Sequence, residues 1–98
     1  MLWGIAELLT RVSRAGSLRS AAAEMDLAYS KAWRIIKNSE DILGFKLLTS
    51  QAGGKNGGGA LLTPEARDML ARYERFVEEG ERALDVIFAQ CFEGMIAP

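Results

Sequence analysis

The sequence predicts a mostly α-helical domain with one small β-hairpin. Apolar residues recur at three- and four-residue spacing in its first half and again in its last third, which is the pattern of amphipathic helices. Between these segments a glycine-rich run separates two short apolar stretches, as in a hairpin. With 98 residues, 49% of them hydrophobic, the chain has the size and composition of one soluble globular domain.

Two helices are expected before residue 26. Residues 2–14 carry apolar side chains on one helical face, and Gly16 ends this first helix. Ser17 can cap a short second helix over residues 18–25, because its hydroxyl accepts a bond from a free amide of the first turn. Three consecutive alanines at 21–23 leave little bulk there, so another helix can cross closely.

A third helix is expected from residue 29 or 30 to residue 43, where Gly44 ends it. Residues 26–28 form the tight turn before it, so the second and third helices make a helix-turn-helix. Strands at 45–49 and 60–62, joined by a loop at 51–59, form a hairpin beside that motif, which is the arrangement of a winged helix-turn-helix.

The last helix begins with a hydroxyl, a proline and an acid at residues 63–65 and is expected to reach about residue 90. Its apolar positions alternate spacings of four and three, the seam of a long paired helix: Ala66, Leu70, Tyr73, Val77, Gly80, Leu84, Ile87 and Cys91. Gly80 is expected to mark a bend or a close helix contact. We therefore assign residues 1–63 to the winged helix-turn-helix and 64–98 to a dimerisation helix and tail of the same domain.

Charge is distributed unevenly along the chain, although the net charge is only −1. Residues 1–62 hold eight basic against five acidic side chains, whereas residues 63–98 hold four basic against eight acidic ones. A basic front half joined to an acidic helix suits a DNA-binding region attached to a solvated helix. No secretory signal or membrane span is recognisable, so a cytoplasmic location and no membrane partner are expected.

Most enzyme classes are excluded by composition. The chain has no histidine, which removes the usual zinc sites, Ser-His dyads and imidazole bases, and its carboxylates are scattered over helix surfaces. The single Cys91 cannot form an internal disulfide, and its place on an apolar face predicts an inert packing role. We expect no enzyme activity, no metal and no cofactor.

The third helix carries the most informative pattern. Tyr29, Ser30, Trp33, Arg34 and Lys37 share one face, and the opposite face is apolar: Ala32, Ile36 and Leu43. Such a helix can enter a major groove, where guanidinium forks match guanine edges. Arg34 is the leading candidate for base contact. An ordinary solvated amphipathic helix explains the same pattern, and Trp33 would then be half-buried core.

The glycine-rich loop at 52–59 is a poor match to a phosphate-binding nucleotide loop. Its lysine precedes most of the glycines, no serine or threonine follows, and a strand rather than a helix comes next. A wing that carries Lys55 and Asn56 to the DNA backbone needs only conformational freedom and a charge. A plain surface hairpin is the alternative interpretation.

Two segments together resemble a known family. The run Ala28-Tyr29-Ser30-Lys31-Ala32-Trp33 followed by the wing at 53–63 is similar to the amino-terminal domain of the ModE family of molybdate-responsive transcription regulators. More distantly, Gly16-Ser17-Leu18 with Ala21-Ala22, then Leu43-Gly44, then Leu62-Thr63-Pro64 resembles the DNA-binding domain of LysR-type regulators. The resemblance covers roughly residues 5 to 75.

This resemblance implies a double-stranded DNA operator as partner and a homodimer formed by the first and last helices. It places at the DNA Arg19, Tyr29, Ser30, Lys31, Trp33, Arg34, Lys37 and, on the wing, Lys55. On the apolar faces of these first and last helices we expect the dimer contact to use Leu2, Ile5, Leu9, Leu70, Tyr73, Val77, Leu84 and Ile87. Members that sense molybdate use separate carboxy-terminal oxyanion-binding domains, and none follows Pro98 here, so we expect no direct molybdate binding. A winged helix that docks or dimerises without reading DNA is the alternative function.

Overall fold

The computed structural model describes residues 2–51 and 59–95. Its elements are α1 (Leu2–Ala15), α2 (Leu18–Glu24), α3 (Tyr29–Leu43), β1 (Leu48–Gln51), β2 (Gly59–Leu62) and α4 (Pro64–Cys91). The expected mostly α-helical fold with one hairpin is confirmed. Among the described helices none is both long enough and apolar enough to span a membrane.

Helix ends follow the local chemistry that the sequence indicated. Gly16 and Gly44 have φ of +81° and +83°, the left-handed conformation that glycine adopts without strain, and each follows a helix end. The Ser17 hydroxyl accepts a hydrogen bond from Ser20 N at 3.1 Å, and the Thr63 hydroxyl accepts one from Ala66 N at 3.1 Å. Both predicted caps are therefore confirmed.

The core lies where α1 meets α2, α3, the hairpin and the start of α4. Its largest fully buried side chains come from α1 and from the segment before β1: Leu8, Leu9, Val12 and Leu47. Ala21, Ala22 and Ala32 are also buried, and α2 packs against both α1 and α3. Small side chains at these contacts let the helices approach closely.

The first strand starts later than the sequence predicts. Residues 45–49 were expected to form it, but β1 runs from Leu48 to Gln51, because Leu47 N donates to the Glu40 carboxylate at 2.8 Å instead of joining the ladder. β1 pairs antiparallel with β2, with Leu48 opposite Leu62 and Gln51 opposite Gly59. The second helix ends one residue early, at Glu24.

The start of β2 is bonded to the turn between α1 and α2. Ser17 forms an antiparallel bridge with Gly59, and Ala60 N donates to Gly16 O at 2.9 Å. At the other end of β2, Thr63 N donates to Leu47 O at 3.0 Å. The returning strand is thus bonded to the turn between α1 and α2 near its start and to the segment before β1 just after its end.

Helix α4 leaves the body after its first turns. Ala66 is fully buried, but every described residue from Glu81 to Met95 is exposed. A helix of 28 residues extends about 42 Å, which is roughly two thirds of the 61 Å long dimension of the molecule. Gly80 lies inside one continuous helix, and a Cβ there would meet no other atom of the described chain within 4 Å. The close contact expected at Gly80 is therefore absent within this part of a single chain.

Candidate nucleic-acid interface

A tight turn sets α3 against α2. Leu27 N donates to Ala22 O at 2.9 Å, and Asp26 adopts a φ of +54°, so the chain reverses within a few residues. Asparagine and aspartate tolerate this left-handed conformation better than most residues. The turn aims α3 so that one face packs on the body and the other faces outward.

The outward face of α3 carries the residues that the sequence selected. Ser30, Lys31 and Arg34 are exposed, Tyr29 is 40% exposed and Trp33 is 49% exposed. On the opposite face Ala32 and Ile36 are buried in the core and Leu43 packs against it. The predicted division of α3 into a polar outward face and an apolar inward face is confirmed. Trp33 lies on the surface rather than in the core.

Two cations lie over aromatic rings on this surface. The Arg19 guanidinium of α2 is 4.3 Å from the Tyr29 ring centroid, and Lys37 Nζ is 5.2 Å from the Trp33 ring. Both distances fall within the range of cation–π attraction. The first pair joins α2 to the start of α3, so Arg19 is brought to the same surface as the α3 residues. The four-residue spacing of Trp33 and Lys37 could have indicated the second pair.

Glu40 is a charged residue in the interior that was not among the predicted site residues. It is only 7% exposed, and its carboxylate accepts from Leu47 N at 2.8 Å while lying 3.4 Å from Lys37 Nζ and 3.7 Å from Lys46 Nζ. Burial alone would raise the pKa of Glu40, but the Leu47 hydrogen bond and the two lysines outweigh burial and lower it. Glu40 follows Ile36 by four residues and so lies on the apolar face of α3. This spacing was the sequence signal that Glu40 would be buried.

The seam of α4 is buried only near the body. Leu70, Tyr73 and Val77 are partly exposed, whereas Leu84 is 66% exposed and Ile87 is 51% exposed. Leu70 and Tyr73 line a groove against Ala6 and Thr10 of α1. The apolar surface of this helix is therefore available along most of its length.

Two residues of the expected dimer contact have a different role. Ile5 and Leu9 are almost fully buried in the core of the single chain, so they present no surface to a second chain. The helical spacing of these apolar residues therefore indicates packing of α1 against its own domain. The side chain of Leu2, and Lys55 and Asn56 of the wing, lie outside the described residues.

The end of α4 exposes more apolar surface than the seam alone predicts. Leu84, Asp85, Ile87, Phe88, Cys91 and Phe92 line one groove, and the rings of Phe88 and Phe92 stack with centroids 4.6 Å apart. Phe76 and Val86 are exposed as well. Cys91 was expected to be a buried packing group, but it is exposed here because α4 extends beyond the body. Phe88 and Phe92, four residues apart, could have been recognised as a surface pair.

Comparison with known proteins identifies a family that matches these helices and the hairpin. Residues 5–67, from α1 through the hairpin into the first turn of α4, match the bacterial regulatory helix-turn-helix proteins of the LysR family. The chain belongs to the LysR family of bacterial regulatory helix-turn-helix proteins. The LysR-type match includes α2, α3 and their turn, whereas the α4 seam from Leu70 onward lies beyond it.

Relatives of this LysR-type domain confirm the similarity to ModE. It is 32% identical over 95 residues to the molybdenum-pterin-binding protein MopB of Rhodobacter capsulatus, covering 90% of this chain and 35% of that protein. It is 36% identical over 78 residues to the molybdenum transport protein ModE of Azotobacter vinelandii, covering 80% of this chain and 29% of that protein. The chain thus spans about a third of the length of these relatives.

A solved structure supports the fold of the LysR-type domain. The DNA-binding domain of CbnR, crystallised as a complex with DNA, superposes with a TM-score of 0.69 at 23% identity, covering 93% of this chain and 99% of that one. The winged helix-turn-helix architecture, including a long helix after the hairpin, is therefore shared by the two chains.

Proposed function

We propose that this chain is a sequence-specific transcription regulator that binds double-stranded DNA with α3 in the major groove. In helix-turn-helix proteins the second helix of the motif enters the groove, and α3 has that place here. The observation that supports the proposal most directly is the outward face of α3, which exposes Lys31, Trp33 and Arg34 while Ala32 and Ile36 face the core. Family membership supports the same class of function.

The individual residues have different proposed roles. Arg34 reads a base edge, because a guanidinium can bond two acceptors of guanine at once. Tyr29, Ser30 and Lys31, near the start of α3, contact phosphates together with Arg19, which the Tyr29 ring holds at this surface. Lys55 and Asn56, in the loop between β1 and β2, contact the backbone of the adjacent DNA.

We also propose a homodimer formed through α4, with residues 1–63 reading DNA and residues 64–98 supplying the partner contact. Apolar side chains remain uncovered along α4, and patches of this kind mark association surfaces. A two-fold dimer would read two half-sites about 34–36 Å apart along the duplex. Regulation, rather than catalysis, is the proposed activity of such a dimer.

Substitution of Arg34 tests the reading of sequence. We expect Arg34→Ala to weaken binding to the cognate duplex by about 1–3 kcal/mol and to change binding to random DNA much less. Arg82→Ala, which removes an exposed arginine from α4, is the matched control and is expected to leave both affinities nearly unchanged. Equal losses on cognate and random duplexes for Arg34→Ala would remove its base-reading role.

The cognate duplex can be obtained by selection. Fluorescence anisotropy on a randomised duplex pool, with sequencing of the bound fraction at two salt concentrations, is expected to enrich a palindrome and to show binding that weakens steeply with salt. Absence of binding even at low salt would favour the alternative, a protein-docking module, which the exposed aromatic surface of α4 also suits.

Molybdate recognition is proposed to lie outside this chain. The two relatives named for molybdenum are about three times as long as the part that matches here. Calorimetric titration of the chain with sodium molybdate is expected to show no binding heat, and a saturable isotherm would place an oxyanion site in these residues.

A further inference from the structure

Lys37 lies between a buried carboxylate and an aromatic ring. Its Nζ is 3.4 Å from Glu40 Oε1 and 5.2 Å from the Trp33 ring centroid, and Lys46 Nζ approaches the same carboxylate oxygen at 3.7 Å. Glu40 is nearly inaccessible to solvent, whereas both lysines retain exposed surface. The carboxylate therefore depends on these two ammonium groups and on Leu47 N for the interactions that water would otherwise supply.

From this geometry we infer that Glu40 is a positioning residue that withholds Lys37 from DNA. If Lys37 moved to a phosphate, a buried carboxylate would lose its nearer cation, and such a loss is costly in a low-dielectric interior. The new ion pair between Lys37 and the phosphate would be exposed to water and salt and therefore weaker. Lys37, selected from the sequence as a DNA contact, is thus reassigned as a counterion of Glu40. The retention of Lys37 by Glu40 is independent of DNA, whereas its effect on phosphate contact rests on the proposed function.

Withholding this charge favours specificity. Phosphate contacts strengthen binding to every sequence, whereas base contacts separate cognate from random DNA. With Lys37 and Lys46 paired to Glu40, the α3 surface keeps Arg34 for base contact while it limits sequence-independent attraction. Release of these lysines is expected to strengthen binding to random DNA more than binding to the cognate site.

The inference is tested first without DNA. Limited acetylation of lysines, quantified by mass spectrometry, is expected to label Lys37 several-fold more slowly than the exposed Lys31 in the wild type. Glu40→Gln keeps an oxygen that can accept from Leu47 N but removes the charge, so Lys37 labelling should rise toward that of Lys31. Asp41→Asn removes a charge from the exposed neighbouring carboxylate and should leave the ratio unchanged. An unchanged ratio in Glu40→Gln would overturn the inference.

DNA binding then tests the consequence. Against a random duplex, Glu40→Gln is expected to steepen the slope of log affinity against log salt by about 0.9 for each lysine that becomes free to bind a phosphate. The ratio of cognate to random affinity should fall several-fold. Lys37→Met alone should leave the slope unchanged, and Glu40→Gln combined with Lys37→Met should steepen it less than Glu40→Gln does. A loss of about 0.9 in the slope of Lys37→Met would show that Lys37 already contacts phosphate and would overturn the inference.

Failure of the proposed DNA binding and failure of the inference about Lys37 and Glu40 give different results. If acetylation shows Lys37 held by Glu40 but the wild type binds no DNA, the proposed function fails while the hold on Lys37 stands. Circular dichroism checks that Glu40→Gln folds. Should it not fold, Lys37→Met and Lys46→Met retain Glu40, and an undiminished salt slope in both supports the inference.

Discussion

In the body formed by α1, α2, α3 and the hairpin, the α1 side chains of Ile5, Leu8, Leu9 and Val12 are buried, whereas the part of α4 after Gly80 is exposed at every described residue. Both regions are rich in apolar residues at helical spacing. The difference shows that one pattern can accompany a face buried within the chain, as in α1, and a face exposed on the described single chain, as at the end of α4. An extended helix gains little stability without packing of its apolar face, and this supports the proposed dimer contact at the end of α4.

Truncation of one leucine in each region should show the largest contrast. Leu8→Ala removes a fully buried side chain and is expected to lower the free energy of unfolding by about 2–5 kcal/mol. Leu84→Ala, at a position 66% exposed, should cost less than about 0.5 kcal/mol in the monomer. Urea unfolding at low protein concentration measures both. Equal losses would mean that Leu84 is packed within its own chain.

Charge on the α4 seam should dissociate the proposed dimer without unfolding the body. Leu84→Glu with Ile87→Glu places two carboxylates in the apolar seam, and burying them against a partner is costly. Sedimentation is expected to show a shift from dimer to monomer with unchanged circular dichroism from the body. Val86→Glu, exposed but off the seam, is the matched control and should remain dimeric. A double variant that stays dimeric would place the contact elsewhere.

Replacement of Glu40 tests a polar contact inside the otherwise apolar body. Glu40→Leu leaves Leu47 N without its acceptor and is expected to cost about 1–3 kcal/mol at neutral pH. Because folding lowers the pKa of Glu40, its ionised form stabilises the fold above the ordinary glutamate range. This stabilisation is lost as pH falls through the lowered pKa, so the gap between wild type and variant should narrow in acid.

Urea unfolding at neutral pH and at pH of about 3 measures that gap. Asp41→Leu, an exposed control next to Glu40, should show little difference from wild type at either pH. A gap that stays constant with pH would mean that the ionised carboxylate of Glu40 does not stabilise the body.

The smallest expected effect comes from Gly80, which directly precedes the exposed part of α4. Gly80→Ala should raise the free energy of unfolding by about 0.5–1 kcal/mol, because alanine favours the helix and open space surrounds its Cβ position within the described chain. Thermal unfolding of a dissociated variant measures this increase. If the same substitution weakens the dimer, Gly80 lies at a close crossing between the two α4 helices.

Local chemistry explains why much of the fold could be predicted. The ends at Gly16 and Gly44 and the caps at Ser17 and Thr63 depend on atoms within about four residues, so the sequence displays all the partners. The outward face of α3 follows from the helical period alone. These features place Trp33 and Arg34 correctly before any tertiary contact is known.

Contacts between distant segments explain what could not be predicted. The start of β1 depends on Leu47 N turning to Glu40, and the position of Arg19 depends on a ring from the next helix. Periodicity likewise could not separate Ile5 and Leu9, which face the core, from Leu84 and Ile87, which face outward. Apolar spacing identifies a buried face but leaves open which molecule covers it.

The bond from Ala60 N to Gly16 O has a practical consequence for protein engineering. The strands that flank residues 52–58 are fixed by their own ladder, and β2 is fixed again by the turn after α1. Extra residues inserted between those strands lengthen a loop whose two ends are fixed. The free-energy cost of closing such a loop grows by only about 0.6 kcal/mol for each doubling of its length. A reporter peptide could therefore be inserted into this loop without displacing α3.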